Sequence, residues 1–273
     1  MNRQDLKKDI LSKRSYLCLG LDPDLLRLPV GVPRTPDGIA GFCIETVAVC
    51  LPHVVACKVN TAFFESLGSP GWEAMHRVFA YLKTLPLLVI ADAKRGDIGN
   101  TSSHYARAFF HELGADAITL SPYMGEDSIQ PFLHYPGKTA ILLALTSNTG
   151  HADFEMQELA NGKKLYEWVM EKAISWPALS DLMFVVGATR ASEMRQVRLI
   201  CPDHFFLVPG VGAQGGDLAD ISRKGFNSDV GLLVNASRSI IYASSGPDFA
   251  AAAKAEARKI QIQMDRLLAE HGF

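Results

Sequence analysis

The chain lacks any excess of charge, any long apolar run and any cysteine or histidine cluster, and each absence excludes a class of function. Lys and Arg number 27 against 29 Asp and Glu, a net charge of −2 over 273 residues. With no basic run as well, nothing supplies the electrostatic footprint of a nucleic-acid or anionic-lipid binder. An anionic ligand must therefore be caught locally. The first residues, MNRQDLKKDILSKRSY, lack the apolar centre of a signal peptide, and no stretch approaches the ~20 apolar residues that span a bilayer. The expected compartment is the cytoplasm, with no membrane partner. The five cysteines (18, 43, 50, 57 and 201) are odd in number, sit in apolar contexts and form no C-x-x-C pair, so neither a disulfide framework nor a zinc site is expected. The eight histidines show no H-x-H or H-E-x-x-H spacing, which leaves surface or capping roles rather than metal binding.

What the chain does have is 48% hydrophobic residues arranged in short apolar runs, each ended by Gly, Pro or a polar residue. The runs are YLCLGLD (16–22), VVACKVN (54–60), LLVIADA (87–93), AITLSPY (117–123), AILLALTS (140–147), MFVVGAT (183–189), FFLVPGVG (205–212) and GLLVNAS (231–237). Between them lie helix candidates such as DGIAGFCIETVAVCL, GWEAMHRVFAYLKTL, NTSSHYARAFFHELG, GKKLYEWVMEKAIS and ASEMRQVRLI. The last candidate is PDFAAAAKAEARKIQIQMDRLLAE, with Pro247 near its start. Strands that read as continuous apolar runs and alternate with helices imply a parallel sheet covered on both faces. Eight such units are what a (β/α)8 TIM barrel requires. A doubly wound open sheet is the competing fold. No linker, repeat or low-complexity segment splits the chain, so residues 1–273 are expected to form one barrel domain with an N-terminal helix before strand one. The segment from Asn148 to Leu182 is longer than one helix needs, and its extra residues are expected to wrap the barrel mouth.

In such a barrel the functional face lies at the C-terminal ends of the strands. Polar residues gather there: Asp22 ends strand one, Lys58 and Asn60 lie on strand two, and Asp92 and Lys94 lie on strand three. Thr146 and Ser147 end strand five, and Ser237 and Arg238 follow strand eight. Any one of these is accounted for as a solvated strand end or an ion pair, but their convergence is not. Within ADAKRGDIGN, side chains at i and i+2 of a strand share a face, so Asp92 and Lys94 are expected to point into one pocket and Arg95 away. Gly96 would permit a sharp departure that swings Asp97 off the alternation. A row of Lys58, Asp92, Lys94 and Asp97 alternates in sign and presents a protonated amine beside a fixed negative charge. That suits loss of a substrate carboxylate beside the anion and quenching of the resulting carbanion by the ammonium.

A second signal lies near the end of the chain. PGVGAQGGD (209–217) contains a literal G-x-G-x-x-G in Gly210, Gly212 and Gly215. A dinucleotide fingerprint, however, belongs with the first strand of its unit and an acidic residue at the end of the next, whereas Asp229 precedes strand eight. The better reading is a phosphate cradle, in which glycine-rich backbone and Gln214 join the NASRS turn and Arg238 supplies a charged fork. A flexible loop with a surface arginine is the plainer alternative.

DAKRGDIGNT, with LGLDPD before it and PGVGAQGGD then NASRS after it, resembles the orotidine 5'-phosphate decarboxylase family in its longer bacterial-type branch. The resemblance runs from strand one through strand eight. It implies conversion of orotidine 5'-phosphate to uridine 5'-phosphate and carbon dioxide in pyrimidine synthesis, without metal or organic cofactor, by a homodimer whose sites are shared at the barrel mouths. By the same resemblance, Lys94 is the proton donor to C6 and Asp92 lies beside the departing carboxylate. Lys58 and Asp22 contact the ribose and the charged network. Asp97, with Ile98 and Thr101, reaches into the partner's site. Ser147 contacts the pyrimidine, Pro209 belongs to the substrate contacts, and Gln214 and Arg238 hold the phosphate. Two departures from the family pattern are Thr149, where SNPG is usual, and Ser239, where glycine often follows the arginine; both bear on loop shape more than on charge.

Sugar-phosphate relatives in the same superfamily, such as keto-gulonate 6-phosphate decarboxylase and hexulose phosphate synthase, share D-x-K-x-x-D but use magnesium held partly by an acidic residue on strand two. Lys58 stands at that position here, and a cation there argues against a divalent metal. A nucleotide-binding barrel that has lost catalysis is the alternative of another class. The presence of all four network residues argues for chemistry.

Overall fold

A computed structural model of the chain describes residues 1–178, 181–211 and 216–273. Its strands are β1 (Leu17–Leu21), β2 (Ala56–Asn60), β3 (Leu88–Arg95), β4 (Ala117–Leu120), β5 (Thr139–Leu145), β6 (Asp181–Val186), β7 (Phe205–Pro209) and β8 (Leu232–Ala236). They pair in chain order, all parallel, and β8 closes on β1. This is the (β/α)8 barrel that the eight apolar runs imply, and the open sheet is excluded. The strands are mostly apolar because one face packs the barrel interior and the other meets helices; every residue of β1, β4 and β8 is buried.

The helices carry their own start signals. Thr35 accepts the Gly38 N–H and Pro36 opens the helix Pro36–Cys50. The helix after β3 runs from Gly99 to Arg107 and widens into a π turn over Ala108–Glu112, which brings Phe109 and Phe110 into the core. The helix Arg3–Lys13 lies across the N-terminal end of the barrel. Its Leu6 and Ile10 are buried, Arg3 and Lys7 pair with Asp229 just before β8, and the Met1 ammonium pairs with Asp116 just before β4. The opposite end, where the strands finish, is left as the mouth.

Several boundaries differ from the sequence expectation. β4 stops at Leu120 rather than Tyr123, because Pro122 has no N–H to continue the ladder. β7 stops at Pro209 rather than Gly212, and Gly210 turns away with φ +97°. β3 runs past the apolar run that ends at Ala93 to Arg95 and carries Lys94, as expected of strand three. The short helices Glu126–Leu133, with Pro131 inside it, and Leu218–Gly225 carry too few periodic positions to have been singled out. Beyond β5, Glu155 accepts hydrogen bonds from the Thr146 N–H and Oγ1, both at 2.7 Å, which fastens the long segment after Asn148 to the mouth end of β5.

All five cysteines are free and buried. Burial pushes the thiols of Cys18, Cys50 and Cys201 up to about 12, so thiolate is scarce at neutral pH. A thiol reagent such as DTNB at pH 8 is therefore expected to leave the native protein unreacted and to titrate all five cysteines in denaturant; rapid labelling of the folded protein would contradict that burial. Among the described residues no helix is long and apolar enough to cross a membrane.

Candidate active site

The site begins with register. Gly20 of β1 pairs beside Lys58 of β2, Asn60 of β2 beside Asp92 of β3, and Cys18 of β1 beside Asn235 of β8. Side chains level with one another on neighbouring strands share a face, and this face is the barrel interior. Gly20 has to be glycine, since a Cβ there would lie 2.7 Å from Ser237 Cβ and 2.9 Å from Asn235 Oδ1. The small residue leaves room for the polar side chains of the neighbouring strands.

Asp92 is the centre of the cluster. Its Oδ2 accepts from Lys58 Nζ at 2.5 Å, and its Oδ1 accepts from Lys94 Nζ at 2.6 Å and from Thr119 Oγ1 at 3.0 Å. Lys58 Nζ lies 4.0 Å from Asp22 Oδ1, an ion pair without a hydrogen bond. The Lys58 and Asp92 side chains are 6% and 8% exposed, whereas Lys94 is 52% exposed. Burial by itself would push the Asp92 carboxyl up, but the ammonium groups of Lys58 and Lys94 outweigh it and hold Asp92 well below the usual carboxylate range. Burial likewise disfavours the Lys58 ammonium, and Asp92 and Asp22 overcome it, so Lys58 is held above its ordinary value. The result is a fixed anion between two cations at the mouth.

The geometry reaches this juxtaposition by a different route from strand alternation. Ala91 pairs with Ile118 and Arg95 with Leu120, so Asp92, Ala93 and Lys94 stand opposite Thr119 alone. That is a bulge, and within it Lys94 has φ +46°. Lys94 thus faces Asp92 because the strand kinks, not because it is two residues further along. Gly96 is not what turns the chain: it has no positive φ, and the departure starts at Lys94 and continues at Gly99, with φ +54°. Arg95 does point away from the pocket. Its guanidinium pairs with Glu65, donates to the Ala93 carbonyl at 3.1 Å, and lies 5.4 Å from the Phe109 ring and 5.5 Å from that of Tyr105.

The remaining expected residues distribute as follows. Asp22, Lys58, Asp92 and Lys94 are brought together. β5 stops at Leu145, so Thr146 and Ser147 lie just beyond the strand rather than ending it; Ser147 is close against Gly187, where a Cβ would lie 2.8 Å from the Ser147 nitrogen. Pro209 ends β7 beside Asn235. Arg238 is exposed at the same end of the barrel, opening the short helix Arg238–Ile241 after β8. Asp97 does not join the lysines of its own chain: its Oδ1 accepts the Ile98 N–H at 2.8 Å. Ile98 is 56% exposed and Thr101 is exposed. Gln214 lies outside the described residues.

Two residues escape a reading of the sequence. Thr119 is fully buried and bonded to Asp92, yet a threonine inside AITL reads as an ordinary strand former. Asn235 is buried with an unpartnered Oδ1 over Gly20; a buried polar group without a partner marks a place a ligand can satisfy. Its signal is an asparagine within the otherwise apolar run GLLVNAS. Among the described residues no group of three His, Cys, Asp or Glu side chains could hold a metal ion.

The charge network predicts a stability effect. Removing Asp92 leaves Lys58 buried beside a more distant Asp22, so Asp92→Ala is expected to cost about 3–5 kcal/mol, read from urea unfolding. Asp92 is depressed in the folded state, so its contribution is present above the ordinary carboxylate value of roughly 4 and lost as pH falls through the folded value. Lys58 is raised, so its contribution is present below roughly 10.4 and lost as pH rises through the folded value. The gap between wild type and Asp92→Ala should stay constant between about pH 5 and 9 and close toward acid; a gap that widened toward acid would refute the assignment.

Comparison with known proteins gives a consistent picture. The family model for the orotidine 5'-phosphate decarboxylase / HUMPS family matches residues 15–255. The orotidine 5'-phosphate decarboxylase of Phocaeicola vulgatus is 47% identical over 99% of this chain and 100% of its own, and that of Bacteroides fragilis is 49% identical over 97% of each. Among solved structures, the OMP decarboxylase of Leishmania donovani superposes with a TM-score of 0.85 at 35% identity, covering 98% of this chain and 99% of its own.

Proposed function

The chain belongs to the orotidine 5'-phosphate decarboxylase / HUMPS family, and we propose that it is the carboxy-lyase that converts orotidine 5'-phosphate to uridine 5'-phosphate and carbon dioxide, with Lys94 protonating C6. The observation that carries the reading is the Asp92 carboxylate held ionised between Lys58 and Lys94 at the barrel mouth. The bond from C6 to the substrate carboxylate breaks, its electron pair stays on C6, and carbon dioxide leaves. In this reading the Lys94 ammonium gives that carbon a proton and then recovers one from water. The protein offers the carbanion no electron sink, so preorganised charge provides the stabilisation. Asp92 fixes the position of the ammonium, Lys58 and Asp22 bind the ribose, and Lys58 holds Asp92 in place.

Arg238 and Gln214 are assigned to the phosphate, Pro209 to the substrate contacts and Ser147 to the pyrimidine. The phosphate and ribose contacts are remote from the reacting carbon, so their binding energy can drive closure of the mouth. Ile98 and Thr101 are exposed and Asp97 pairs with neither Lys58 nor Lys94 of its own chain, which supports a homodimer in which they complete the partner's site. The closed barrel with the helix Arg3–Lys13 over its N-terminal end supports treating residues 1–273 as one domain. A cytoplasmic place in pyrimidine synthesis completes the reading.

The family also contains magnesium-dependent sugar-phosphate enzymes, and substrate choice separates the two. The expected outcome is turnover of orotidine 5'-phosphate, unaffected by added magnesium, and none of keto-gulonate 6-phosphate with or without it. Magnesium-dependent turnover of the sugar phosphate alone would reverse the assignment.

A further inference from the structure

We infer that Thr119 is a positioning residue for the reaction, one hydroxyl that locks both the Asp92 carboxylate and the kinked backbone of Lys94. The inference deepens the decarboxylase reading and rests on it for its kinetic consequence. Thr119 stands alone on β4 against the bulge formed by Asp92, Ala93 and Lys94. At that point the regular ladder between β3 and β4 is broken, and the Lys94 N–H is bonded to Thr119 Oγ1 at 3.0 Å instead of to a β4 carbonyl. An N–H can only donate, so the hydroxyl oxygen accepts from it, and the single hydroxyl proton is left for Asp92 Oδ1, also at 3.0 Å. The polarity of the pair is therefore fixed without ambiguity.

This arrangement matters because Lys94 is a non-glycine residue at φ +46°. Such a conformation is disfavoured for an L residue and persists only where its surroundings over-determine it. Thr119 supplies two of those constraints at once. It is 1% exposed, β-branched and therefore stiff at χ1, and its strand keeps an unbroken register with β5 from Ala117 to Leu120. The hydroxyl is thus held by a regular pair of strands while the residues it holds lie on an irregular one. Without it, the Lys94 backbone is free to relax toward extended geometry, which moves the ammonium away from Asp92 and from the reacting carbon. Lys58 still binds the other Asp92 oxygen, so the pocket keeps its charge and loses its alignment.

The test compares Thr119→Val, which keeps the shape and removes the hydroxyl, with Thr119→Ser, which restores it. For the valine variant kcat is expected to fall on the order of ten- to a hundredfold, the scale of a sub-ångström to 1 Å misplacement, with KM within about twofold because the phosphate and ribose contacts are remote. The serine variant is expected to recover to within roughly threefold of wild type. A second readout needs no substrate: the Lys94 amide should exchange slowly with solvent in wild type and Thr119→Ser and markedly faster in Thr119→Val. Unchanged kcat in Thr119→Val, with active wild type, would overturn the inference. So would equal Lys94 exchange in all three proteins, or serine failing to restore either readout in a folded protein. If wild type fails to turn over orotidine 5'-phosphate, the proposed function falls, and the exchange comparison still decides whether Thr119 holds Lys94.

Discussion

Lys94→Ala is expected to keep the barrel folded and to abolish decarboxylation, with kcat/KM reduced on the order of 10⁴-fold or more. That magnitude is the upper end for a positioned general acid, and the same substitution also removes a charge aimed at the developing carbanion. The fold should survive for a local reason. The Lys94 side chain is half exposed, and after its removal Asp92 still accepts from Lys58 and Thr119. The loss of a half-exposed ion pair is worth less than about 1 kcal/mol. Circular dichroism and urea midpoints should therefore match those of wild type while the rate collapses. A folded Lys94→Ala protein with a near-normal rate would remove Lys94 as the acid.

Mixing two inactive proteins, Asp97→Ala and Lys94→Ala, is expected to restore activity. In a dimer with shared sites, the subunit that keeps Lys94 receives an intact Asp97 from its partner, which produces one complete site per mixed dimer. Random exchange at equal amounts makes half the dimers mixed, so recovery should approach about a quarter of wild type by symmetry. Asp97 and Ile98 are available for such a role: the Asp97 carboxylate accepts the Ile98 N–H and pairs with neither Lys58 nor Lys94 of its own chain, and Ile98 is exposed. Complete absence of rescue, with subunit exchange confirmed by a labelled mixture, would rule out the inter-subunit role.

The barrel was legible because doubly buried strands leave unbroken apolar runs, and eight of them alternating with helices admit few folds. The cluster of Asp22, Lys58, Asp92 and Lys94 was legible for a related reason, since charges that end buried strands must converge at one mouth. The strand ends themselves were not. A ladder stops where a hydrogen bond is lost, and Pro122 and Gly210 act on that more than hydrophobicity does. The bulge at Lys94 was illegible for a deeper reason. It is defined by what β3 fails to pair with on β4, a relation between residues far apart in sequence, and alternation along one strand gave the right neighbour for Lys94 from the wrong geometry. Thr119 was hidden in the same way, because threonine is as common in a strand as any β-branched residue and only its partners distinguish it. Asn235 carried a signal, a polar side chain inside an apolar run, that reading along one strand does not connect to Gly20 on another.

The most direct measurement follows the orotate chromophore of orotidine 5'-phosphate in the ultraviolet, with the purified wild-type chain and excess chelator. The expected result is steady loss of absorbance with uridine 5'-phosphate and carbon dioxide formed in equal amounts, at a rate the chelator does not change. No turnover by folded protein, or turnover that appears only when magnesium is restored, would contradict it.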